Sequence, residues 1–414
     1  MVLQAAGRAG VREVLAVGEF RAVLASVGFS VVGDQIARIA VALLVYGETR
    51  STFAASATYA CSYLTWLVAG PLLSAVADRQ PKRRLMVTCD LLRAGLVAVL
   101  VVPGLPLPAV FAVLVLVGVL APPFDAAKSA LLPDVLEGDR YVAGSAVVNA
   151  VVQAAQVLGF LLGGVVVAAA SVRGALALDA LSFLLSAALL TAGVRERSPV
   201  PAERRSLLRD TREGVTLVSR SPVLRRLLGF GALGMVATIV PEGLAVPVAE
   251  RVGGGEVTAG VLTAALPAGF LVGSFLVLRV PPVRRGRLLV PLTVLTCVPL
   301  LLTPFAGSGT AVGLLWAVAG VGSALQLVAN ADYMTSTPRA ARARAFGVAV
   351  TALMALQGGA LLLGGAAAEL VDPRSAVAGA AALALLALPL LTRSGRTERG
   401  SAIATTDPST RAAL

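Results

Sequence analysis

Apolar residues run in long continuous stretches through most of the chain, interrupted by short Arg and Lys clusters or by Gly, Pro and Ser turns. An α-helix needs about 20 predominantly apolar residues to cross a bilayer. At that length, spans fall near 20–47, 52–77, 85–103, 107–125, 142–169 and 173–194. After a polar stretch, six more fall near 225–249, 257–279, 288–305, 310–332, 346–369 and 374–392. The pattern predicts an all-α membrane protein with 12 transmembrane helices in two six-helix bundles, residues 1–194 and 225–392, joined by a cytoplasmic linker at 195–224. The polar tail, 393–414, reads as disordered. A shift of about 200 residues sets SAVADRQPKRR (74–84) against SFLVLRVPPVR (274–284), and VALLVYGE (41–48) similarly faces LAVPVAER (244–251). Two such alignments with equal span counts point to a duplicated unit.

Composition supports a membrane environment and excludes an ordinary soluble globule. Charged residues make up 14% of the chain and hydrophobic ones 57%, against about 25% charged in a soluble domain. The net charge of +12 does not imply nucleic acid, because the basic residues sit in short loops rather than on one solvated face. Their placement instead sets orientation, since cytoplasmic loops carry excess Lys and Arg. One side receives Arg8, Arg12, Arg21, Arg79, Lys82, Arg83, Arg84, Lys128, Arg140, the nine arginines of 195–226, Arg279 through Arg287 and Arg339 through Arg344. The other shows Arg50, Arg173, Arg251 and Arg374. An N-in, C-in topology is expected. No removable signal peptide is legible, and the Arg- and Val-rich, Lys-poor composition suggests the plasma membrane of a high-GC bacterium.

Cys61, Cys89 and Cys297 lie in separate apolar stretches without C-x-x-C spacing, so they read as buried thiols rather than disulfides or metal ligands. Histidine is absent, which leaves proton coupling to carboxylates. A charge at the bilayer centre costs about 2.5–3.5 kcal/mol on the mildest scale, so each needs a partner or a wet cavity. Asp34 and Arg38, at i and i+4 in the first span, share a helix face and can pair, either as a proton- or substrate-coupling site or as a structural ion pair. Glu242 lies in VPEGLAVP, where Pro241, Gly243 and Pro247 free backbone groups as at transporter binding sites. It is the second proton-site candidate, or else a hydrated residue near the outer interface. Asp179 reads as a cap or packing anchor, with a functional role as the alternative. Asn149, Gln153, Gln156, Gln326, Asn330 and Gln357 either line a cavity or join helices by hydrogen bonds. Trp66 and Trp316 supply aromatic walls for a lipophilic ligand, or core. No Walker loop, H-E-x-x-H or G-x-S-x-G motif appears, so neither an enzyme nor an ATP-driven pump is expected.

The segment ADRQPKRR (77–84) resembles the G-x-x-x-D-R-x-G-R-R loop of the major facilitator superfamily, with Asp78, Arg79, Lys82 and Arg83 on its charged positions and Ser74 and Pro81 replacing its glycines. MVTCDLLRAG adds Asp90 and Arg93, resembling the D-x-x-R of the branch that exports drugs, macrolides and enterobactin. FDAAKSALLPDVL (124–136), GDQIARIAVALLVY (33–46) and LDALSFLLSAALL (178–190) are similar to the same branch. AQVLGFLLGG (155–164) resembles the antiporter signature ending G-P-x-x-G-G, with Gly159, Gly163 and Gly164 matching and Phe160 in place of proline; a small-residue packing face accounts for the same glycines.

The resemblance implies the major facilitator fold, alternating access, and a cytoplasmic gate formed by Asp78, Arg79, Lys82, Arg83, Asp90 and Arg93. It also implies proton-coupled export of lipophilic or amphipathic molecules such as antibiotics, drugs or siderophores. The alternatives are facilitated uptake or lipid flipping by the same fold, and a membrane receptor or scaffold that carries no flux. The expected partners are a small-molecule substrate, protons and the bilayer, with no cofactor, metal or nucleic acid and the protein as a monomer.

Overall fold

The structure, a computed structural model, describes residues 10–77, 80–197 and 207–404. Among them all regular structure is helical. The first part of the chain forms α1 (Val11–Leu15), α2 (Gly18–Thr49), α3 (Thr52–Ala77), α4 (Lys82–Leu100), α5 (Leu107–Val119), α6 (Ala121–Val135) and α7 (Asp139–Gly193). The second forms α8 (Leu207–Arg220), α9 (Pro222–Arg251), α10 (Glu256–Arg279), α11 (Pro282–Arg285), α12 (Leu289–Leu301), α13 (Gly309–Ser323), α14 (Leu325–Ser336), α15 (Arg342–Leu370) and α16 (Pro373–Ala404). Among the described residues, nine helical stretches are long and apolar enough to cross a membrane.

Local chemistry explains where these helices stop. α7 has 55 residues, about 80 Å at 1.5 Å per residue and far more than one crossing needs. It breaks at Ser171 (φ 73°, ψ 167°), inside the 170–172 gap expected from sequence. The Gly174 amide donates to Ser171 Oγ at 3.5 Å, which starts the second segment as an N-cap does. α5 and α6 are joined at Leu120 and run to Val135, ten residues past the expected end at 125. Pro122 and Pro123 do not interrupt this span because they occupy the first turn of α6, where a missing N–H costs little.

The linker gains internal structure, and the tail expectation is corrected. The linker contains α8, whose Gly214, Leu217 and Val218 share one face at helical spacing and turn toward the body of the protein. There Arg344 pairs with Glu213. The final helix runs to Ala404 rather than ending at the expected tail boundary of 393, because no proline follows Pro389 until Pro408 and extending a formed helix is far easier than nucleating one.

Four apolar clusters fill the interior. One groups Phe20, Met86, Phe124 and Leu131 at the arginine-rich end of the first half, and a second groups Ile36, Val97, Leu176 and Phe183 above it. A third, with Phe230, Leu325 and Tyr333, lies in the second half. The largest crosses between the halves through Ile39, Tyr59, Phe160, Leu244, Leu262 and Leu361. Lipid offers no hydrophobic drive for helices to associate, so close backbone approach through small residues matters most. Gly164 of α7 lies against Gly260 of α10 so tightly that a Cβ on Gly260 would stand 3.0 Å from Gly164 Cα. Outward, Leu363, Leu386 and Leu390 are 66–75% exposed, as suits a lipid-facing belt.

Polar contacts join the halves at the arginine-poor end. Arg50 pairs with Glu250 at 2.6 Å. Glu369 accepts from Ser51 Oγ at 2.7 Å and from the Phe53 amide at 2.9 Å, so a carboxylate from α15 satisfies a free donor in the first turn of α3. Thr52 Oγ1 donates to the Gly365 carbonyl at 3.0 Å. Arg50 and Gly253, which end α2 and α9, both have positive φ (55° and 70°), matching turns in the two repeated units.

At the same end, Asp372 separates α15 from α16 and accepts from the Arg374 amide at 2.9 Å and from Arg374 Nε at 3.0 Å. Burial opposes its ionisation, but the hydrogen bonds and charge of Arg374 prevail and hold the carboxyl below its ordinary value. A lowered pKa stabilises the fold above the unfolded value of about 3.9, and that contribution is lost as pH falls through the folded value. Asp372→Asn should therefore lower the thermal unfolding midpoint at pH 7, and the gap to wild type should close on titration toward pH 3. An equal gap at both pH values would refute this.

Candidate functional site

Charges collect inside the first half. α2 carries Asp34 and Arg38, α4 carries Asp90 and Arg93, and the second segment of α7 carries Asp179. Asp34, Arg38, Arg93 and Asp179 line one cavity of about 110 Å³ together with Thr58, Tyr59, Ser62 and Trp66 of α3. Asp179 comes this close to α2 because position 33 is glycine: a Cβ there would sit 2.1 Å from Ser182 Oγ and 2.6 Å from Asp179 Oδ1. Asp179, a packing anchor or functional residue by sequence, lies on the cavity wall.

Arg93 is held by its neighbours from three sides. Its guanidinium lies 5.3 Å from the Phe124 ring centre and 5.5 Å from that of Phe183, with Asp90 Oδ1 at 4.0 Å. Ser186 Oγ donates to Asp90 Oδ2 at 2.6 Å. Desolvated cation–π contacts of this kind are worth about 2 kcal/mol. Asp90 and Arg93 are thus deep in the first half, and Arg93 faces the cavity.

The expected Asp34–Arg38 ion pair is not closed within 4.0 Å. Arg38 turns instead to Tyr63, with its guanidinium 5.7 Å from the ring centre, and interacts electrostatically with Glu242 of α9 as well as Asp34. The Oε1 atom of Glu242 is buried and has no hydrogen-bond partner among the described residues. The charge of this residue reaches Tyr59, Tyr63 and Arg38 in the other half.

α9 continues unbroken through Pro241 and Pro247. Pro247 has no N–H to offer the carbonyl four residues earlier, and that freed carbonyl, Gly243 O, accepts from Ser56 Oγ of the first half at 3.1 Å. The loosened helical bonding foreseen around Glu242 therefore serves contact between the halves.

The remaining candidates scatter. Trp66 lines the cavity, whereas Trp316 is fully buried in the core and donates to Thr303 Oγ1 at 3.3 Å. Gln326 donates to Met235 Sδ at 3.7 Å and buried Gln357 to Met354 Sδ at 3.8 Å. Asn149, Gln153, Gln156 and Asn330 do not line the cavity, and Asn149 and Asn330 are exposed. Of the glycines, Gly159 and Gly163 pack on α2 at Val32, Gln35 and Ile36, and Gly164 packs on α10. Lys82 bridges to Asp134 at 2.8 Å and to the Ala130 carbonyl at 2.9 Å, tying α4 to α6. Arg83 lines a separate surface cavity. Asp78 and Arg79 lie outside the described residues.

Sequence reasoning missed Tyr59 and Tyr63. The available signal was the aromatic recurrence Tyr59, Tyr63, Trp66 at i, i+4 and i+7, which marks one face of α3.

The assembled region holds four carboxyls, Asp34, Asp90, Asp179 and Glu242, against two guanidiniums, Arg38 and Arg93. Full ionisation leaves two negative charges in excess in a low-dielectric interior, which a proton or a cationic ligand can offset.

A bacterial homologue of the human lysosomal transporter Spinster, in an inward-facing and unoccupied conformation, matches with a TM-score of 0.70 at 14% identity, over 92% of this chain and 97% of that one. A POT family transporter in complex with 5-aminolevulinic acid gives 0.69 at 12%, over 91% and 96%. The POT family transporter PepTSo gives 0.71 at 12%, over 92% and 98%. At such identity these likenesses establish the fold alone. No curated protein matches the chain by sequence. The Major Facilitator Superfamily model, however, matches residues 23–357, and the chain belongs to that superfamily, as a multi-pass membrane protein with a transporter fold.

Proposed function

We propose that the protein is a proton-coupled exporter of lipophilic or amphipathic small molecules, such as a drug, antibiotic or siderophore, working by alternating access in a bacterial plasma membrane. The observation that carries this reading is the excess of carboxyls around Arg38, with Glu242 contributed from the opposite half. In this reading there are 12 spans: α2, α3, α4, α5 with α6, the two segments of α7, α9, α10, α11 with α12, α13 with α14, α15 and α16. They form bundles over 1–194 and 225–392 with both termini in the cytoplasm. The arginine-poor end then faces outward and is closed.

Glu242 and Arg38 form an electrostatic tie between the halves. A proton on Glu242 removes it, and so biases the closed and open states in proportion to its differential affinity for them. Asp34 takes up Arg38 when that tie is released. The cavity of about 110 Å³ is smaller than the roughly 300–1,000 Å³ of a small-molecule site, so substrate binds as the halves move and the cavity widens along Trp66 and Tyr59.

The test is purified protein in liposomes with an imposed pH gradient, following ethidium. Gradient-driven flux should fall about tenfold or more in Asp34→Asn or Glu242→Gln. Wild-type flux that ignores the gradient would replace export coupling with facilitated transport or flipping.

A further inference from the structure

A second cavity, of about 730 Å³, opens at the arginine-rich end of the first half, away from the transport region. Its walls bring together the start of α2 (Val17, Gly18, Glu19), Arg83 of α4, Val135 at the end of α6, and Thr191 through Arg195 with Arg197 after the second segment of α7. Arg195 and Arg197 both reach Glu19, at 3.4 and 2.8 Å. Half-buried Arg83 has no ion-pair partner among the described residues. Among the described residues, three guanidiniums and one carboxylate thus line this cavity, an excess of two positive charges on one concave wall. Neighbouring Arg84 is already paired, with Glu196 at 2.6 Å, and does not alter that balance.

Backbone donors add to this field. α2 is 32 residues long, and its N-cap, Val17, has no side chain that can accept from the first-turn amides. Val17, Gly18 and Glu19 of this helix start line the same cavity, at the positive end of the helix dipole.

We propose that this cavity binds a phosphate group. Planar guanidinium forks fit phosphate oxygens in pairs, and Glu19 acts as an internal stand-in that holds Arg195 and Arg197 in place until phosphate displaces it. Basic pockets between helices on a cytoplasmic face suit anionic lipid headgroups. A soluble phosphate monoester presents the same chemistry, so the experiment separates the two sources.

The full-length protein, in neutral detergent at fixed ionic strength, is titrated with short-chain phosphatidylglycerol, with phosphatidylcholine and with inorganic phosphate. Each surface arginine contributes about fivefold to anionic lipid affinity. The double variant Arg83→Gln/Arg197→Gln should therefore bind phosphatidylglycerol about 25-fold more weakly, while Arg279→Gln in the other half leaves binding unchanged. If the double variant folds poorly, exposed Arg195→Gln alone should still weaken binding about fivefold. Glu19→Gln should strengthen it. Inorganic phosphate competing at concentrations similar to the lipid would keep the phosphate site and assign it to a soluble ligand. Phosphatidylglycerol affinity equal in wild type and both arginine variants would overturn the proposal, as would equal affinity for phosphatidylcholine.

Discussion

Gly164→Leu is expected to disfavour closure of the arginine-poor end and to slow transport. A Cβ on Gly164 would stand 2.4 Å from the Glu256 carbonyl oxygen and 3.1 Å from Gly260 Cα. Both obstacles are backbone, so no side chain can swing aside, and the whole of α10 must shift. Overpacking a tight contact costs about 1–3 kcal/mol, which corresponds to a roughly 5- to 150-fold change in the population of the closed state. Gly359 on α15 is the matched control, since a Cβ there meets nothing within 4 Å. Thiol labelling of a cysteine placed near Arg50 reads the outcome. Labelling should accelerate in Gly164→Leu and stay at the wild-type rate in Gly359→Leu. Equal rates in both would show that α7 and α10 do not set closure.

The second large effect concerns the Asp90–Arg93 pair. Both side chains are almost wholly buried, and Arg93 fills the gap between Phe124 and Phe183. Removing one member of a buried pair leaves a charge without its counter-charge and typically costs about 3–5 kcal/mol, whereas replacing both with apolar or neutral groups is often close to neutral. Arg93→Met should therefore lower the thermal unfolding midpoint far more than Asp90→Asn/Arg93→Met. In the double variant the introduced amide keeps an acceptor for Ser186. Thermal unfolding of the four proteins of this cycle in one detergent checks it. If the double variant falls as far as Arg93→Met, the loss comes from packing against the two rings and not from charge.

Much of the fold follows directly from where apolar runs stop. The gap at 170–172 anticipated the break at Ser171, and Asp34, Arg38 and Glu242 stood out because a charge in an apolar run needs a reason. The rotation of each helix about its axis was far less legible. A helix in lipid is apolar toward its protein neighbours and toward the bilayer alike, so periodicity does not mark its inner face. Trp66 and Trp316 were indistinguishable on that basis, yet one lines the cavity and the other is core. Asp179 reaches the cavity because Gly33, on another helix, leaves it room, a relation between residues 146 positions apart in the chain. Glu19 with Arg195 and Arg197 was hidden for the same reason, since each residue alone resembles any charge flanking a membrane span.

Glu369 capping the first turn of α3 also bears on the order of events during synthesis. Its partner Ser51 lies 318 residues earlier, so the seam at that end cannot close until Glu369 has left the ribosome. Domains fold as units and the N-terminal one first; the first half therefore inserts and packs with the start of α3 exposed, waiting for an acidic residue of the second half. A nascent chain halted between residues 320 and 360 should hold a packed first half with an open seam. Release of α15 then completes assembly by a docking step that is separate from the folding of either half.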